Sequence, residues 1–419
     1  MKPGTLRGCM TVLAGTLLLN ACGESERPAV ADIPTGQWRV EFAVPGGMVP
    51  VGLELGMDDN GMTATFINGS ERVDVPTVTQ SGRSLTLAFP AFNNRLEGEW
   101  DGRSLSGNLT IIRRGGELQS IPFRARPGVE YRFVPAQASA EANLEGRWRV
   151  TFTDEDGVET PAIGEFSQQG NQVQGTFLTE TGDYRFLAGE VVGRQMLLST
   201  FDGAHLFLFS AELGGNQQLT GDFWSSVHWH ETWTGVRDDD AQLADAYSMT
   251  FLKPGYDAFT FRFPDTDGNM VSLDDERFEG KVVLVTLAGT WCPNCHDEAR
   301  FLAEYYRQRF GDGLEVVGLM YEHFEDFETA AEQVRRFRAE LGIEYTLLVA
   351  GYSDKQKAAE TLPMLNRVLA FPTTIFLGRD GKLRRIHTGF TGPGTGEHYA
   401  RFIAQFKDFV GSLLAEPPL

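Results

Sequence analysis

The sequence is short of cysteine, short of positive charge and without a long apolar run. Four cysteines in 419 residues leave no material for a structural disulfide framework. Cys9 and Cys22 lie at the start of the chain, and the other two, Cys292 and Cys295, are separated by only two residues. Lys and Arg number 37 against 57 Asp and Glu, a net charge of −20. That balance excludes nucleic acid as a partner, because its phosphates demand cationic side chains. The apolar run Met10–Leu19 is too short to span a bilayer. Between about 34 and 240 there is no helical periodicity of useful length.

What is present at the N-terminus reads as a secretory signal over residues 1–21: Lys2 and Arg7, then the apolar run, then Leu19-Asn20-Ala21-Cys22. The small Ala21 before a cysteine resembles the lipobox of bacterial lipoproteins, which implies lipidation at Cys22 and a mature chain beginning there. An ordinary signal peptide with an incidental cysteine is the alternative. Residues 22–33, polar and containing proline, suit a tether. With Cys9 removed and Cys22 lipidated, Cys292 and Cys295 are the only thiols left.

Residues 34–134 and 145–240 read as two copies of one β unit. Alternating stretches such as Gln37–Phe42 are broken by turn signals at Gly46-Gly47, Asp59-Asn60-Gly61 and Asp101-Gly102. Gly36-Gln37-Trp38-Arg39-Val40-Glu41-Phe42 matches Gly146-Arg147-Trp148-Arg149-Val150-Thr151-Phe152, and Thr65-Phe66 matches Thr176-Phe177, at nearly constant offset. Each copy has room for about eight short antiparallel strands, enough for a closed barrel. A two-sheet sandwich is the other arrangement.

From about 247 to 417 strands alternate with helices, which predicts a mostly parallel sheet with covering helices. The fold class expected is thus multidomain: N-terminal all-β repeats followed by an α/β domain. Lys281–Ala288 reads as a buried central strand and Asn294–Arg309 as a helix. The cysteine pair sits at that junction. Unpaired amides and the helix dipole favour thiolate there, so the pKa of the first cysteine should fall below the free value of about 8.5. Cys292 is then the attacking nucleophile and Cys295 the thiol that resolves the mixed disulfide. Half of a zinc site is the alternative, with His296 and His323 as further ligands, but their spacing does not suggest a site.

Trp291-Cys292-Pro293-Asn294-Cys295 at a strand-to-helix junction resembles the thioredoxin superfamily, and within it the TlpA/ResA group of membrane-tethered thiol–disulfide proteins. Phe371-Pro372-Thr373-Thr374 is similar to the family's cis-proline element, which implies that Phe371, Pro372 and Thr373, with Trp291, meet the substrate chain. The resemblance also implies a proton-transfer role for Glu298, three residues after Cys295 and on the same helix face; a solvated glutamate is the alternative. Two positions depart from ordinary thioredoxins. Thr286 stands where they carry a buried aspartate, and Pro293-Asn294 replaces the usual dipeptide.

The resemblance implies a disulfide reductase of the bacterial cell envelope, lipid-anchored through Cys22 and facing the periplasm. It would act on disulfide-containing proteins, draw electrons from a membrane electron-relay thiol donor, and use no bound metal or organic cofactor. Two other classes fit parts of the sequence. One is an envelope lipoprotein whose β repeats bind a ligand while the dithiol senses redox state. The other is peroxide reduction, against which the paired cysteines argue. Minor candidates are His228 and His230 as half a metal site and Trp224, Trp229 and Trp233 as a cavity lining or barrel core. Glu322–Asp326 reads as a solvated loop or active-site border, and Gly392–Gly396 as a loop.

Overall fold

The structure, a computed structural model, describes residues 1, 4, 32–135 and 139–417. The expected signal sequence (apart from residues 1 and 4), the lipidation residue Cys22 and most of the tether lie outside the described residues. Among the described residues no helix is long and apolar enough to cross a membrane.

The first β unit is an antiparallel meander of nine strands. Its first strand, Gly36–Val44, pairs with the second and also with the last, Leu118–Pro127. The sheet therefore turns back on itself, and its free edges are the consecutive strands Glu71–Asp74 and Thr77–Ser81. The second unit completes the circle. Gly146–Asp154 pairs with both Glu159–Gln169 and Trp229–Arg237, and Glu159–Gln169 goes on to pair with Gln172–Thr179. This continuous ring makes the second copy a barrel rather than a sandwich and leaves its main strands without exposed edges.

The repeat in sequence has a physical counterpart. Trp38 and Trp148 are both buried, and each donates its indole Nε1–H to the carbonyl four residues earlier, Pro34 at 3.1 Å and Leu144 at 2.9 Å. Gly36 and Gly146, which open the paired strands, have φ of 108° and 111°, a region that favours glycine. Phe66 and Phe177, also matched in sequence, are fully buried. The barrels share a core. Phe201 of the second packs against Phe42 and Phe66 of the first, tilted on one and edge-to-face with the other, with ring centroids 5.1 Å and 4.8 Å apart.

The C-terminal domain has a five-stranded sheet. Its elements are β1 (Val282–Ala288), α1 (Pro293–Arg309), β2 (Leu314–Glu322), α2 (Phe327–Leu341), β3 (Thr346–Tyr352), α3 (Lys355–Thr361), β4 (Thr373–Leu377), β5 (Leu383–Thr388) and α4 (Glu397–Leu414). The sheet order is β3-β2-β1-β4-β5. β1, β2 and β3 are parallel, and β4 runs against β1. All seven residues of β1 are buried, which explains a continuous apolar run instead of an alternating one. Along α1 the buried positions Ala299, Leu302, Tyr305 and Tyr306 fall on one face at helical spacing.

Candidate active site

The turn between β1 and α1 carries the chemistry. Cys292 is the N-cap of α1, with extended φ/ψ, and Pro293 takes the first helical position, where its missing N–H costs nothing. Cys292 Sγ accepts the Cys295 amide at 3.2 Å, so the helix terminus is aimed at this sulfur. The two cysteines are joined as a disulfide. Both are buried, Cys292 at 6% exposure and Cys295 at 1%, so the outer sulfur is the one an incoming group reaches.

The loop before β4 faces the pair. The Phe371–Pro372 bond is cis, and the Phe371 carbonyl oxygen lies 3.5 Å from Cys292 Sγ. Thr373 is buried and bonds the Ala370 carbonyl at 2.9 Å, which fixes the turn. Trp291 donates its indole N–H to the Tyr321 carbonyl at 2.9 Å. One face of its ring stacks on His323, and its edge meets Phe371.

Glu298 is not solvated. It lies at 3% exposure beneath the dithiol helix. Thr286 of β1 and Thr374 of β4 each donate a hydroxyl to it at 2.5 Å. Burial pushes its carboxyl up to about 7, against the pull of those two hydroxyls. The threonine that replaces the expected strand aspartate thus holds a carboxylate supplied from the helix. A group with that affinity gives up or takes a proton near neutral pH, as dithiol chemistry requires.

Glu322 lies in no solvated loop: it is the buried last residue of β2 and borders the site, the other placement expected for it. Its carboxylate accepts the Thr290 amide at 3.0 Å and the Thr290 hydroxyl at 2.6 Å, so it clamps the turn that carries Trp291. Burial raises it to about 7 as well. His296 is buried and held down to about 3. Its Nε2 therefore carries the proton given to the Thr290 carbonyl at 2.7 Å. Phe92 of the first barrel stacks on this imidazole at 4.1 Å.

The second barrel reaches the same turn. Asn294, between the cysteines, donates to the Asp183 carbonyl at 3.2 Å. Gly182 lies so close that an added Cβ would meet Asn294 Nδ2 at 2.4 Å. Asp183 also accepts the Gly392 amide at 2.7 Å, so the Gly392–Gly396 segment is a docking loop between domains. Arg185, buried and at positive φ, pairs with Asp297 of α1, with Glu71 of the first barrel at 2.5 Å and with Asp202 of its own barrel at 3.1 Å. One guanidinium thus ties all three domains together at the N-terminus of α1.

Arg185, Asp183 and Phe92 carry no signal of their role in the sequence, since each acts on a helix about 110 to 200 residues away. The nearest signal is local: Gly182-Asp183 breaks a strand pattern just before a lone arginine. The remaining candidates fall elsewhere. Trp233 is barrel core, Trp229 is exposed, and Trp224 stacks on His230, which also bonds Asp222 at 2.9 Å. His228 stands apart, just before the last barrel strand.

Residues 254–386 match the model of the AhpC/TSA family. A stretch of 138 residues, 33% of this chain, is 25% identical to the thiol-disulfide oxidoreductase ResA of Bacillus subtilis and covers 69% of that protein. A match of the same length to the thioredoxin-like protein YneN of Bacillus subtilis is 28% identical and covers 73% of it. A thiol:disulfide interchange protein of the thioredoxin family from Chlorobium tepidum, known from its crystal structure, covers 38% of this chain at 19% identity with a TM-score of 0.29. The C-terminal region is a thioredoxin-like α/β domain similar to thiol–disulfide oxidoreductases.

Proposed function

We propose that this protein is an extracytoplasmic thiol–disulfide oxidoreductase that reduces disulfides in other proteins, held to a membrane by a lipid on Cys22. The observation that carries the chemistry is the placement of Cys292 and Cys295. They form a disulfide at a helix N-terminus, opposite a cis proline and above a buried carboxylic acid. The similarity to ResA of the C-terminal region supports the same activity.

In this reading the reduced Cys292 thiolate attacks a substrate disulfide and Cys295 releases the mixed disulfide. The Phe371–Pro372–Thr373 loop and Trp291 hold the substrate chain beside the sulfur. Glu298 moves the proton that Cys295 must lose and regain. The cysteine pair is itself the redox centre, with no metal or organic cofactor. A membrane electron-relay thiol restores the dithiol.

The test is the reduction potential of the Cys292–Cys295 couple in the full chain, equilibrated in defined thiol buffers. A value near about −270 mV, the thioredoxin range, is expected of a reductase. A value near about −120 mV would make the protein a disulfide donor and overturn the direction proposed.

A further inference from the structure

A cavity of about 480 Å³ lies where the three domains meet beside the active-site tryptophan. The first barrel contributes Arg113 and Arg114 to its wall, the second barrel His205 and His228, and the C-terminal domain Trp291 and His323. Its size falls within the range of small-ligand sites. It adjoins the dithiol through two ring contacts. Trp291 stacks on His323 at 4.7 Å and meets Phe371 edge-on at 5.8 Å, and the Phe371 carbonyl is 3.5 Å from Cys292 Sγ.

The charge of this cavity runs against that of the chain. The protein carries −20, yet the charged lining here is Arg113 and Arg114 against the single exposed Glu117. Arg114 is engaged by Asp354 at 3.2 Å. Half-buried Arg113 has no side-chain ion pair or hydrogen bond among the described residues. Burial holds His228 and His323 well below the ordinary histidine range, helped by Arg113 at both and by Arg114 at His323. They remain neutral hydrogen-bonding groups and leave Arg113 as the free cation. A guanidinium with its fork unengaged is suited to a carboxylate.

Access supports an extended chain over a folded surface. Phe92 covers the His296 side of the turn and Asp183 covers Asn294, which leaves the Trp291 side. A chain lying along the Phe371–Pro372 loop with its sulfur at Cys292 would have Trp291 beside it, and Trp291 forms part of the cavity wall.

Building on the function proposed above, we infer that this cavity selects polypeptide substrates in which an acidic residue flanks the disulfide, its carboxylate pairing with Arg113. The exchange is balanced within the dithiol. Cys292 thiolate bonds to one substrate sulfur as the substrate S–S bond breaks, and the departing thiolate takes a proton. Cys295 thiolate then displaces the second substrate thiol and closes the Cys292–Cys295 disulfide. Two electrons pass to the substrate, and an external dithiol reductant returns them.

The experiment uses the full chain and three matched cystine peptides with Glu, Gln or Lys beside the disulfide, recycled by a dithiol reductant. The Glu peptide should exceed the Gln peptide in kcat/KM by roughly fivefold, the size of one partly exposed charge pair, with the Lys peptide slowest. The preference should shrink in the unmodified protein as salt is raised. Arg113→Glu should reverse the order, and Arg113→Lys should keep it in weakened form. Equal rates for the Glu and Lys peptides, or a preference that Arg113→Glu leaves in place, would overturn the inference while the oxidoreductase reading stands. Failure to reduce any of the three peptides would overturn that reading, and the inference with it.

Discussion

Thr374, two residues past the cis proline, donates its hydroxyl to Glu298 Oε1 at 2.5 Å, so the cis-proline loop and the buried acid are parts of one hydrogen-bonded unit. Thr286 donates to the other oxygen at the same distance. Both hydroxyls favour the ionised carboxylate. Thr286→Val and Thr374→Val should each push the Glu298 affinity above its present value of about 7. A pH profile of disulfide exchange should show its inflection move upward in both variants, and an unmoved inflection would detach Glu298 from the proton step.

The same carboxyl makes stability depend on pH. Its folded pKa, about 7, lies above the ordinary 4.5, so the folded state holds the proton more tightly than the unfolded state. The resulting stabilisation is complete below about pH 4.5 and is lost as pH rises through about 7, a difference of about 3 kcal/mol. Glu322, raised to about 7, and Asp183, raised to about 6, decline in overlapping windows. The buried histidines His296, His323, His228 and His387, held well below their ordinary range, gain stability as pH rises toward 6.5 and oppose this trend, so the readout is a difference. In denaturant unfolding of the disulfide form, the stability of the parent relative to Glu298→Gln should fall as pH rises from 5 to 8.

Glu322 accepts two hydrogen bonds from Thr290. Glu322→Ala leaves a buried amide without its acceptor and should cost roughly 1–3 kcal/mol, with faster hydrogen exchange at Thr290. Glu322→Gln keeps an acceptor oxygen and should lie much closer to the parent protein. Equal losses in the two variants would show that the clamp is not what matters there.

Arg185→Met removes the one cation shared by Glu71, Asp202 and Asp297. Breaking a buried pair from one side typically costs about 3–5 kcal/mol, because the remaining charge has no compensation. Unfolding should accordingly shift by about that amount, and limited proteolysis should cut faster between the second barrel and the C-terminal domain. An Arg185→Met protein as stable as its parent would contradict the keystone role.

Trp38→Phe and Trp148→Phe each delete one indole hydrogen bond to a carbonyl four residues back. The expected loss is about 1–2 kcal/mol, and similar in the two barrels, since the geometry is the same. Thermal melts of the two variants give the comparison. A large inequality would mean that the equivalence is confined to sequence.

Much of this arrangement was legible because its signals are local or periodic. Cys292 and Cys295 announce themselves by spacing, and β1 by seven consecutive apolar or β-branched residues. The duplicate barrels show through Trp38 and Trp148, which recur because the same buried indole is needed twice. Glu298 was legible only through family resemblance. Its two threonine partners come from separate strands, and no spacing rule joins 286, 298 and 374. Glu322 was legible only as one of two alternatives, because an acidic pair with histidine and phenylalanine between its members resembles a surface loop as much as a buried strand end at the site border. Arg185 is the clearest limit. Its three carboxylates lie in three domains, and a lone arginine after a strand break looks the same in sequence whether water or protein surrounds it.

Asn294 stands between the two cysteines and also against Gly182 and Asp183 of the second barrel. Here a larger side chain at 294 collides with a neighbouring domain, and any side chain at 182 does the same from the other side. The redox couple and the packing of the domains therefore share one side chain. A substitution at 294 that retunes the couple must be accompanied by one that refits the contact with Gly182 and Asp183.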